Sequence, residues 1–421
     1  MPPTPSFQAP TGTRDVLAPE SDRWAALVAQ FATLARRSGY GLLVGPMFEE
    51  VGVFQRVGAS TDVVRKEMYD FEDKGGRHLA LRPEGTASVV RAYVQHRPVL
   101  PWKVWYTAPS FRYERPQAGR YRQHHQLGVE VLGSEDPEVD VEVIALARIL
   151  YEAVGLAQVT LVLNSIGDAA CRPTYLALLE AFLVAHDDEL CAEHRQGARQ
   201  NPLRVLDCKR PECRAATAGA PRIVEHLCDA CAEHFEAVQA GLAALDVAFV
   251  LDARLVRGFD YYTRTAFEFQ ASALESAQST IGAGGRYDGL VEALGGPPTP
   301  GVGFGIGIER VLLACDAEGV FPAPEARVDV WVVDITGAGG AGELAWALRR
   351  GGIAADRGFD ARSMRAQMKL ADRSGARLAL IVGEDEREAG TVSIRDLRGD
   401  GGVQRVVARD EVVALVKELL A

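Results

Sequence analysis

Hydrophobic and polar positions along the chain change their period several times, and each change marks an element. Between Ser21 and Ser38 the apolar residues Trp24, Leu27, Val28, Phe31 and Leu34 fall at helical spacing, with Ser21 placed to cap the first turn. Gly39 to Phe54 reads as extended chain interrupted by Pro46. His78 to Arg82 reads as a short strand and Ala87 to His96 as a helix. Trp102 to Arg112 and Gln126 to Leu132 read as two strands joined by a polar loop, and Asp140 to Val154 as a helix. The sharpest alternation runs from Gly301 to Ile308. As a strand it turns Val302, Phe304, Ile306 and Ile308 toward a core and Gly301, Gly303, Gly305 and Gly307 to the other side. Glycine weakens a strand, so a face without side chains points to a flat group lying on it, to a close helix contact or to a bend. Arg310 follows at the start of a helix, where a planar guanidinium can stack on a planar base.

Beyond the first half the character changes. Residues 170 to 245 are mostly helical by spacing and rich in Ala, Glu and Cys, and they read as an insertion because strand-like sequence resumes at Val247 to Leu251. Phe321-Pro322-Ala323-Pro324-Glu325 reads as a linker. From about 326 onward, Val328 to Val333 and Leu378 to Val382 read as buried strands with helices between them. A hairpin of Thr391 to Arg398 and Val403 to Val407 follows, then a last helix from Asp410. This is the pattern of a compact α/β module.

Composition narrows the classes. A chain of 421 residues has room for about two or three domains. The net charge of -11 excludes a generally basic nucleic-acid binder, so any such contact must use a local patch. No apolar run is long enough to span a bilayer, and Met1 to Pro5 has neither the basic start nor the apolar stretch of a signal peptide. Seven cysteines, an odd number in a long chain, fit a reducing cytoplasm better than a disulfide framework. No stretch reads G-x-x-x-x-G-K-[ST], and Ile306 and Ile308 break the G-x-G-x-x-G pattern, so a nucleotide here would bind in another way.

The local patch exists. Between Trp102 and His125, Lys103, Arg112, Arg115, Arg120 and Arg122 stand against a single acid, Glu114, with aromatic residues between them. Such a loop suits phosphates and single-stranded nucleic acid.

Taken together these stretches resemble a known family. Phe111-Arg112-Tyr113-Glu114 resembles the second signature motif of class II aminoacyl-tRNA synthetases, and the glycine run ending in Glu309-Arg310 the third. Gly45-Pro46 resembles the first, which in that family lies at the dimer interface. Leu255-Val256-Arg257-Gly258-Phe259-Asp260-Tyr261-Tyr262-Thr263 and Gly284-Gly285-Arg286-Tyr287-Asp288 resemble the histidine-specific motifs of histidyl-tRNA synthetases. The resemblance covers essentially the whole chain. It implies an α+β fold: a class II antiparallel-sheet catalytic domain over residues 1–322 with the 170–245 helical insertion, and an α/β anticodon-binding domain over 326–421.

The resemblance also assigns roles. It implies a histidine–tRNA ligase, a homodimer with no membrane partner, that uses ATP with accompanying Mg2+, histidine and histidine tRNA. Arg112 and Arg257 would act in catalysis, flanking the α-phosphate of ATP. Glu114, Arg120, His124, Gly305 and Arg310 would join Arg112 in holding ATP, with Arg310 stacked on adenine. The ring opposite Arg310 is usually phenylalanine, and His124 in that place would make ATP binding vary with pH. Glu84, Thr86 and Gln126 would hold the α-amino group of histidine; Glu130 and Tyr262, with Tyr287 nearby, would read its imidazole, which offers one donor and one acceptor when neutral. Arg257 also belongs to the histidine site. Arg115, Gln117 and Arg122 would meet the acceptor end of tRNA, and Arg362, Arg365, Lys369 and Arg373 could form a basic patch in the C-terminal module.

Cys208-x4-Cys213 and Cys228-x2-Cys231 have a spacing that could form one four-thiolate zinc site. The resemblance does not require zinc, and free buried thiols are the expectation, with no metal assigned. Two other functions fit parts of the pattern. A regulatory histidine-binding paralogue of ATP phosphoribosyltransferase would not need Arg112, Arg257, Arg310 and a C-terminal module. A class II synthetase for another amino acid would not need the stretch from Arg257 to Thr263.

Overall fold

The computed structural model describes residues 7–58, 61–195, 201–259, 261–275, 279–323, 328–337, 339–359, 362–399 and 404–421. Met1 to Pro5, Asp260, Pro324, Glu325 and Val403 lie outside the described residues. The chain divides into two compact units, Met1–Pro322 and Ala323–Ala421.

The first unit is built on an eight-stranded sheet. Its strands are β1 (Gly41–Leu42), β5 (Trp102–Phe111), β6 (Gln123–Leu132), β7 (Val159–Ser165), β8 (Phe249–Leu251), β9 (Thr263–Ala271), β10 (Thr280–Arg286) and β11 (Gly301–Gly307). They lie in the order β1-β5-β6-β11-β10-β9-β7-β8. Only the two edge pairs, β1 with β5 and β7 with β8, are parallel. A small antiparallel sheet of β2 (Phe48–Glu50), β3 (Tyr69–Glu72) and β4 (His78–Leu81) stands beside it in the chain, in the order β2-β4-β3.

Alternation decides which face of the large sheet is core. Leu127, Val129 and Val131 of β6, Val302, Phe304 and Ile306 of β11, and Phe267 and Phe269 of β9 are buried in one cluster. The helices Glu20–Arg37, Pro137–Ala153 and Ile308–Glu318 cover that face with Leu27, Phe31, Ile144, Leu150, Val311 and Leu312. The other face of the same strands is left for Glu130, Gly303, Gly305 and Glu268.

Several boundaries differ from the sequence expectation. The first helix starts at Glu20, so Ser21 lies inside its first turn, and Pro19 occupies the cap position without a side-chain hydrogen bond. Val51 to Phe54 are not extended but open a helix, Val51–Gly58, whose Phe54 is buried against Ala87 and Tyr93. β6 begins at Gln123 rather than Gln126, because Gln123, His124 and His125 pair with Phe111, Ser110 and Pro109. The helix expected from Asp140 begins at Pro137, with the Asp136 carboxylate accepting from the Glu138 N–H at 3.0 Å.

Between β7 and β8 the chain runs through helices Arg172–Ala185, Ala192–Arg195, Leu203–Leu206, Pro211–Ala216 and Asp229–Ala244. They share a separate core of Tyr175, Leu179, Leu183, Val205, Leu206 and Ile223. The second unit is a five-stranded sheet of β12 (Val330–Asp334), β13 (Ala355–Arg357), β14 (Leu378–Val382), β15 (Thr391–Asp396) and β16 (Gln404–Ala408). Its order is β13-β12-β14-β15-β16, parallel in the first three strands and antiparallel in the rest. Leu344, Leu348, Leu380, Ile394 and Val416 make its own core. No helix among the described residues is long and apolar enough to cross a membrane.

Candidate active site

The site is built on the polar face of the large sheet, and register explains its floor. Glu130 pairs with Gly303 and Gly128 with Gly305, while Tyr106 pairs with Gly128. A Cβ at Gly303 would lie 1.8 Å from Glu130 Oε2 and 2.4 Å from the Val129 carbonyl, and one at Gly301 would meet the Tyr287 ring at 2.3 Å. At Gly305 the nearest atom is the Gln126 amide nitrogen at 3.0 Å, and at Gly307 the Arg310 side chain at 3.8 Å. The glycine face expected to lie bare is therefore half filled by the chain's own Glu130 and Tyr287. Only its Gly305–Gly307 end, beside Arg310, is left for a flat ligand.

Glu130 is fully buried and three hydroxyls converge on it. Thr86 Oγ1 donates at 2.7 Å and Tyr106 OH at 3.3 Å to Oε1, and Tyr287 OH donates at 2.5 Å to Oε2. Burial pushes its carboxyl up to about 8, with the nearby Glu84 charge acting in the same direction. Glu84 is also buried and raised by burial, while the backbone N–H groups of Thr86 and Ala87 donate to it at 2.6 and 2.8 Å. Those amides open the helix Thr86–His96, so the carboxylate sits at a helix N-terminus. Ser110 donates to the Gln126 side-chain oxygen at 3.1 Å. Two buried carboxyls and a ring of hydroxyls suit a small ligand that carries several N–H donors.

Tyr262 is buried close enough to Glu130 and Glu84 to feel both charges. It is 7 % exposed, with the Tyr261 ring 4.7 Å away, and Tyr261 meets Tyr287 edge-on at 6.1 Å. The Arg257 guanidinium lies 5.3 Å from the centre of the Tyr262 ring, and its Nη1 donates to Glu268 Oε1 at 2.6 Å. Its Nε is buried without a hydrogen-bond partner, a donor left open. Arg112 donates through Nε to the Pro83 carbonyl at 2.9 Å. Arg310 is fixed by two carbonyls, Gly119 at 3.1 Å through Nε and Thr280 at 2.7 Å through Nη1. Its guanidinium plane is thus set by the chain itself.

The remaining residues are placed less uniformly. Burial, then the Arg112 and Arg310 charges, push His124 down to about 3. In the ligand-free chain it is therefore neutral near pH 7. Glu114 and Arg120 form an ion pair with each other. Arg115 and Gln117 are exposed, and Gln117 exchanges backbone hydrogen bonds with Arg120 at 3.1 and 2.9 Å. Arg122 stands apart from them: it lies 3.9 Å over the Tyr113 ring and donates to the Glu114 carbonyl at 3.3 Å.

Four residues matter that the sequence reading did not assign. Tyr106 donates to Glu130, and Glu268 holds Arg257 and accepts from Thr280 Oγ1 at 3.0 Å. Glu268 lies between Phe267 and Phe269, and that alternation was a readable sign of a carboxylate on the polar face. Glu309 accepts from the His125 backbone N–H at 3.1 Å and lies 3.0 Å from His125 Nδ1, anchoring the strand that carries His124. Arg286 is fully buried and binds Asp140 Oδ2, Asp288 Oδ1 at 3.2 Å and the Ser134 carbonyl at 2.9 Å. It braces the sheet and leaves Tyr287 aimed at Glu130. The four cysteines considered as one zinc site do not meet: Cys208 and Cys213 lie with Cys191 and His194, and Cys228 and Cys231 with Asp168 and Cys171.

Comparison with known proteins gives the same picture over the whole chain. A family profile described as histidyl-tRNA synthetase matches residues 12–311, and an anticodon binding domain profile matches residues 330–419. A histidine–tRNA ligase of Rhodococcus erythropolis is 49% identical over 421 residues, covering 99% of this chain and 98% of that protein. One from Moorella thermoacetica is 49% identical over 417 residues, covering 97% and 98%. The crystal structure of apo Staphylococcus aureus histidyl-tRNA synthetase matches with a TM-score of 0.82 at 35% identity, covering 98% of this chain and 100% of that one. A Bacillus halodurans structure described as an ATP phosphoribosyltransferase regulatory subunit/histidyl-tRNA synthetase matches at 20% identity with a TM-score of 0.66, covering 90% and 100%, a likeness of fold alone. With a family profile over most of its first unit and near-half identity end to end, the chain belongs to the histidyl-tRNA synthetase family.

Proposed function

We propose that the chain activates histidine with ATP, forming histidyl-adenylate and pyrophosphate, and then transfers histidine to the 3' end of histidine tRNA. The observation that carries this reading is the buried Glu130 carboxyl, hydrogen-bonded by Thr86, Tyr106 and Tyr287, on the same sheet face as the open Gly305–Gly307 strip. In this reading Glu130, Tyr262 and Tyr287 read the imidazole, and Glu84, Thr86 and Gln126 hold the α-amino group. Adenine lies on the Gly305 end of the strand under Arg310, with His124 on its other side. Arg120, paired with Glu114, meets the terminal phosphates, and Glu114 orients the base. Mg2+ enters on the ATP phosphates as part of the substrate.

The chemistry follows from charge. The histidine carboxylate is ionised at neutral pH, so its oxygen attacks the α-phosphorus without a protein base. The bond to the β-phosphate breaks, and pyrophosphate leaves with the electron pair. Arg112 and the open Nε of Arg257 supply fixed donors to the α-phosphate oxygens, where negative charge builds. In the second step the terminal ribose hydroxyl attacks the acyl carbon, AMP leaves, and a phosphate oxygen takes the proton.

Arg115, Gln117 and Arg122 are the residues proposed for the tRNA acceptor end, Arg115 and Gln117 through their exposure. The second unit would bind the anticodon stem, with Arg365, Lys369 and Arg373 spaced along the exposed side of the helix Met364–Arg373, near Arg362. The chain would act as a homodimer in the cytoplasm. Exposed Leu42, Val44, Met47 and Phe48 around Gly45-Pro46 form an apolar strip suited to a second copy.

Amino-acid-dependent ATP–pyrophosphate exchange with all twenty amino acids tests the reading. Exchange with histidine alone supports it. Exchange with another amino acid points to a sister synthetase. Histidine binding without exchange would favour the regulatory paralogue, which has no use for the fixed Arg310 or the open donor of Arg257.

A further inference from the structure

Every cysteine except Cys315 is gathered into one of two clusters in and around the helical insertion. Cys191, His194, Cys208 and Cys213 have ligand atoms all within 4.8 Å of one another, and so do Asp168, Cys171, Cys228 and Cys231. All seven cysteines are free thiols. Within the first cluster His194 Nδ1 lies 3.1 Å from Cys191 Sγ and 3.8 Å from Cys213 Sγ. Within the second, Asp168 Oδ1 lies 3.6 Å from Cys171 Sγ and 3.9 Å from Cys228 Sγ. Ligands of a tetrahedral ion with metal–sulfur bonds of about 2.3 Å stand roughly 3.8 Å apart, so either group needs only a small contraction to close on one ion.

The chain pattern is that of paired knuckles. Asp168-x2-Cys171, Cys191-x2-His194 and Cys228-x2-Cys231 have the shortest chelating spacing, and Cys208-x4-Cys213 lies within the range seen at zinc sites. Each cluster combines two such pairs brought together by the fold. Backbone amides already point at sulfur: Cys191 N–H donates to Cys213 Sγ at 3.2 Å and Asp168 N–H to Cys171 Sγ at 3.4 Å. Such donors orient and stabilise thiolate ligands. Cys171 and Cys228 also occupy the N-cap positions of the helices Arg172–Ala185 and Asp229–Ala244, so the start of each helix carries a sulfur of the second cluster.

The local fold needs a fastener. Around the first cluster the helices Ala192–Arg195, Leu203–Leu206 and Pro211–Ala216 have only 4, 4 and 6 residues. Helices that short do not hold themselves. Val205, Leu206 and Ala216 of these helices are buried in the insertion's own core, and a metal bound by four side chains would tie the short pieces to one another.

We propose that this part of the chain carries two structural zinc ions, one held by Cys191, His194, Cys208 and Cys213 and the other by Asp168, Cys171, Cys228 and Cys231. Thiolate-rich, four-coordinate sites select zinc over magnesium or calcium. Four protein ligands leave no open position, so neither ion does chemistry; both fasten the insertion. Arg264 Nη2, 3.7 Å from Asp168 Oδ2, offsets part of the charge of the second site. The assignment stands apart from the reading of the active site.

Metal analysis of the full chain purified without chelator tests it, together with zinc-edge X-ray absorption. The expected result is two zinc ions per chain, with sulfur neighbours at about 2.3 Å and one lighter neighbour per ion. Cys208→Ser and Cys228→Ser should each leave one zinc, and Cys315→Ser should leave both. Release of the zinc by a mercurial should lower the Tm of the full chain. Folded protein that retains no zinc, or only one, after equilibration with zinc and desalting would overturn the two-site assignment. So would iron in place of zinc, or loss of zinc from Cys315→Ser. If the ligand variants are insoluble, stoichiometry and absorption on the unaltered chain still decide.

Discussion

Arg257 is the residue on which the proposed chemistry turns. Its Nη1 is committed to Glu268, its face to Tyr262, and its Nε has no partner. Arg257→Ala should slow histidine-dependent pyrophosphate exchange by roughly a hundred- to a thousandfold. Arg257→Lys should not recover it, because a compact ammonium on a flexible stem does not reproduce the rigid planar fork that spans Glu268 and a second acceptor. An unchanged exchange rate in Arg257→Ala would remove it from the catalytic step. Glu130 carries a prediction of another kind. Its folded pKa of about 8 lies above the ordinary unfolded value of about 4.3, so between those values the folded chain binds more protons. Its contribution to stability is then fully present below pH of about 4.3 and is lost as pH rises through about 8. In ligand-free protein, Glu130→Gln should flatten the fall in urea midpoint over that range while abolishing histidine-dependent exchange. Identical pH slopes for the two proteins would refute the burial argument. At this scale the sequence was readable only in part. Tyr287 and Arg310 stand out through their motifs and Glu130 through the family resemblance, but Tyr106 is one aromatic residue in a strand of several. The state of His124 depends first on its burial and then on the Arg112 and Arg310 charges, which no local pattern contains.

The glycine strand shows what an element can and cannot reveal. Its alternation located a strand, a core face and a polar face, all from Gly301 to Gly307. It did not reveal that the polar face is partly covered from within, because the covering groups come from other elements, Glu130 of the distant β6 and Tyr287 just beyond β10. That difference predicts a gradient. Gly303→Ala places a methyl group against a carboxylate and a backbone carbonyl that cannot retreat together, and should cost about 1–3 kcal/mol as well as most exchange activity. Gly305→Ala meets only the end of the Gln126 side chain and should fold nearly as well, its loss appearing as a raised KM for ATP. Denaturant melts and exchange kinetics on the two variants check this; equal stability loss would show that the internal contacts do not set the glycine requirement. The helix Val51–Gly58 escaped the sequence reading for a related reason. Its apolar residues are β-branched or aromatic and read as strand by composition, whereas packing of Phe54 on Ala87 and Tyr93 decides for helix.

Over the whole molecule, domain cores are a property of long stretches rather than of single contacts. The units Met1–Pro322 and Ala323–Ala421 each bury their own cluster, around Phe304, Phe267 and Leu150 in one and Leu380, Ile394 and Leu348 in the other. Every residue proposed to touch histidine or ATP belongs to the first unit. A chain ending at Pro322 should therefore fold and keep histidine-dependent pyrophosphate exchange near the level of the full chain. Charging of histidine tRNA at limiting tRNA should fall by roughly a hundredfold or more, because linked sites raise affinity through effective concentration and removing one forfeits that gain. The split between the two assays is the informative quantity. Loss of both activities in a folded first unit would mean that the second unit completes the adenylation site. Retention of both would deny the second unit a part in tRNA binding, and would leave its exposed Arg365, Lys369 and Arg373 without the role proposed for them.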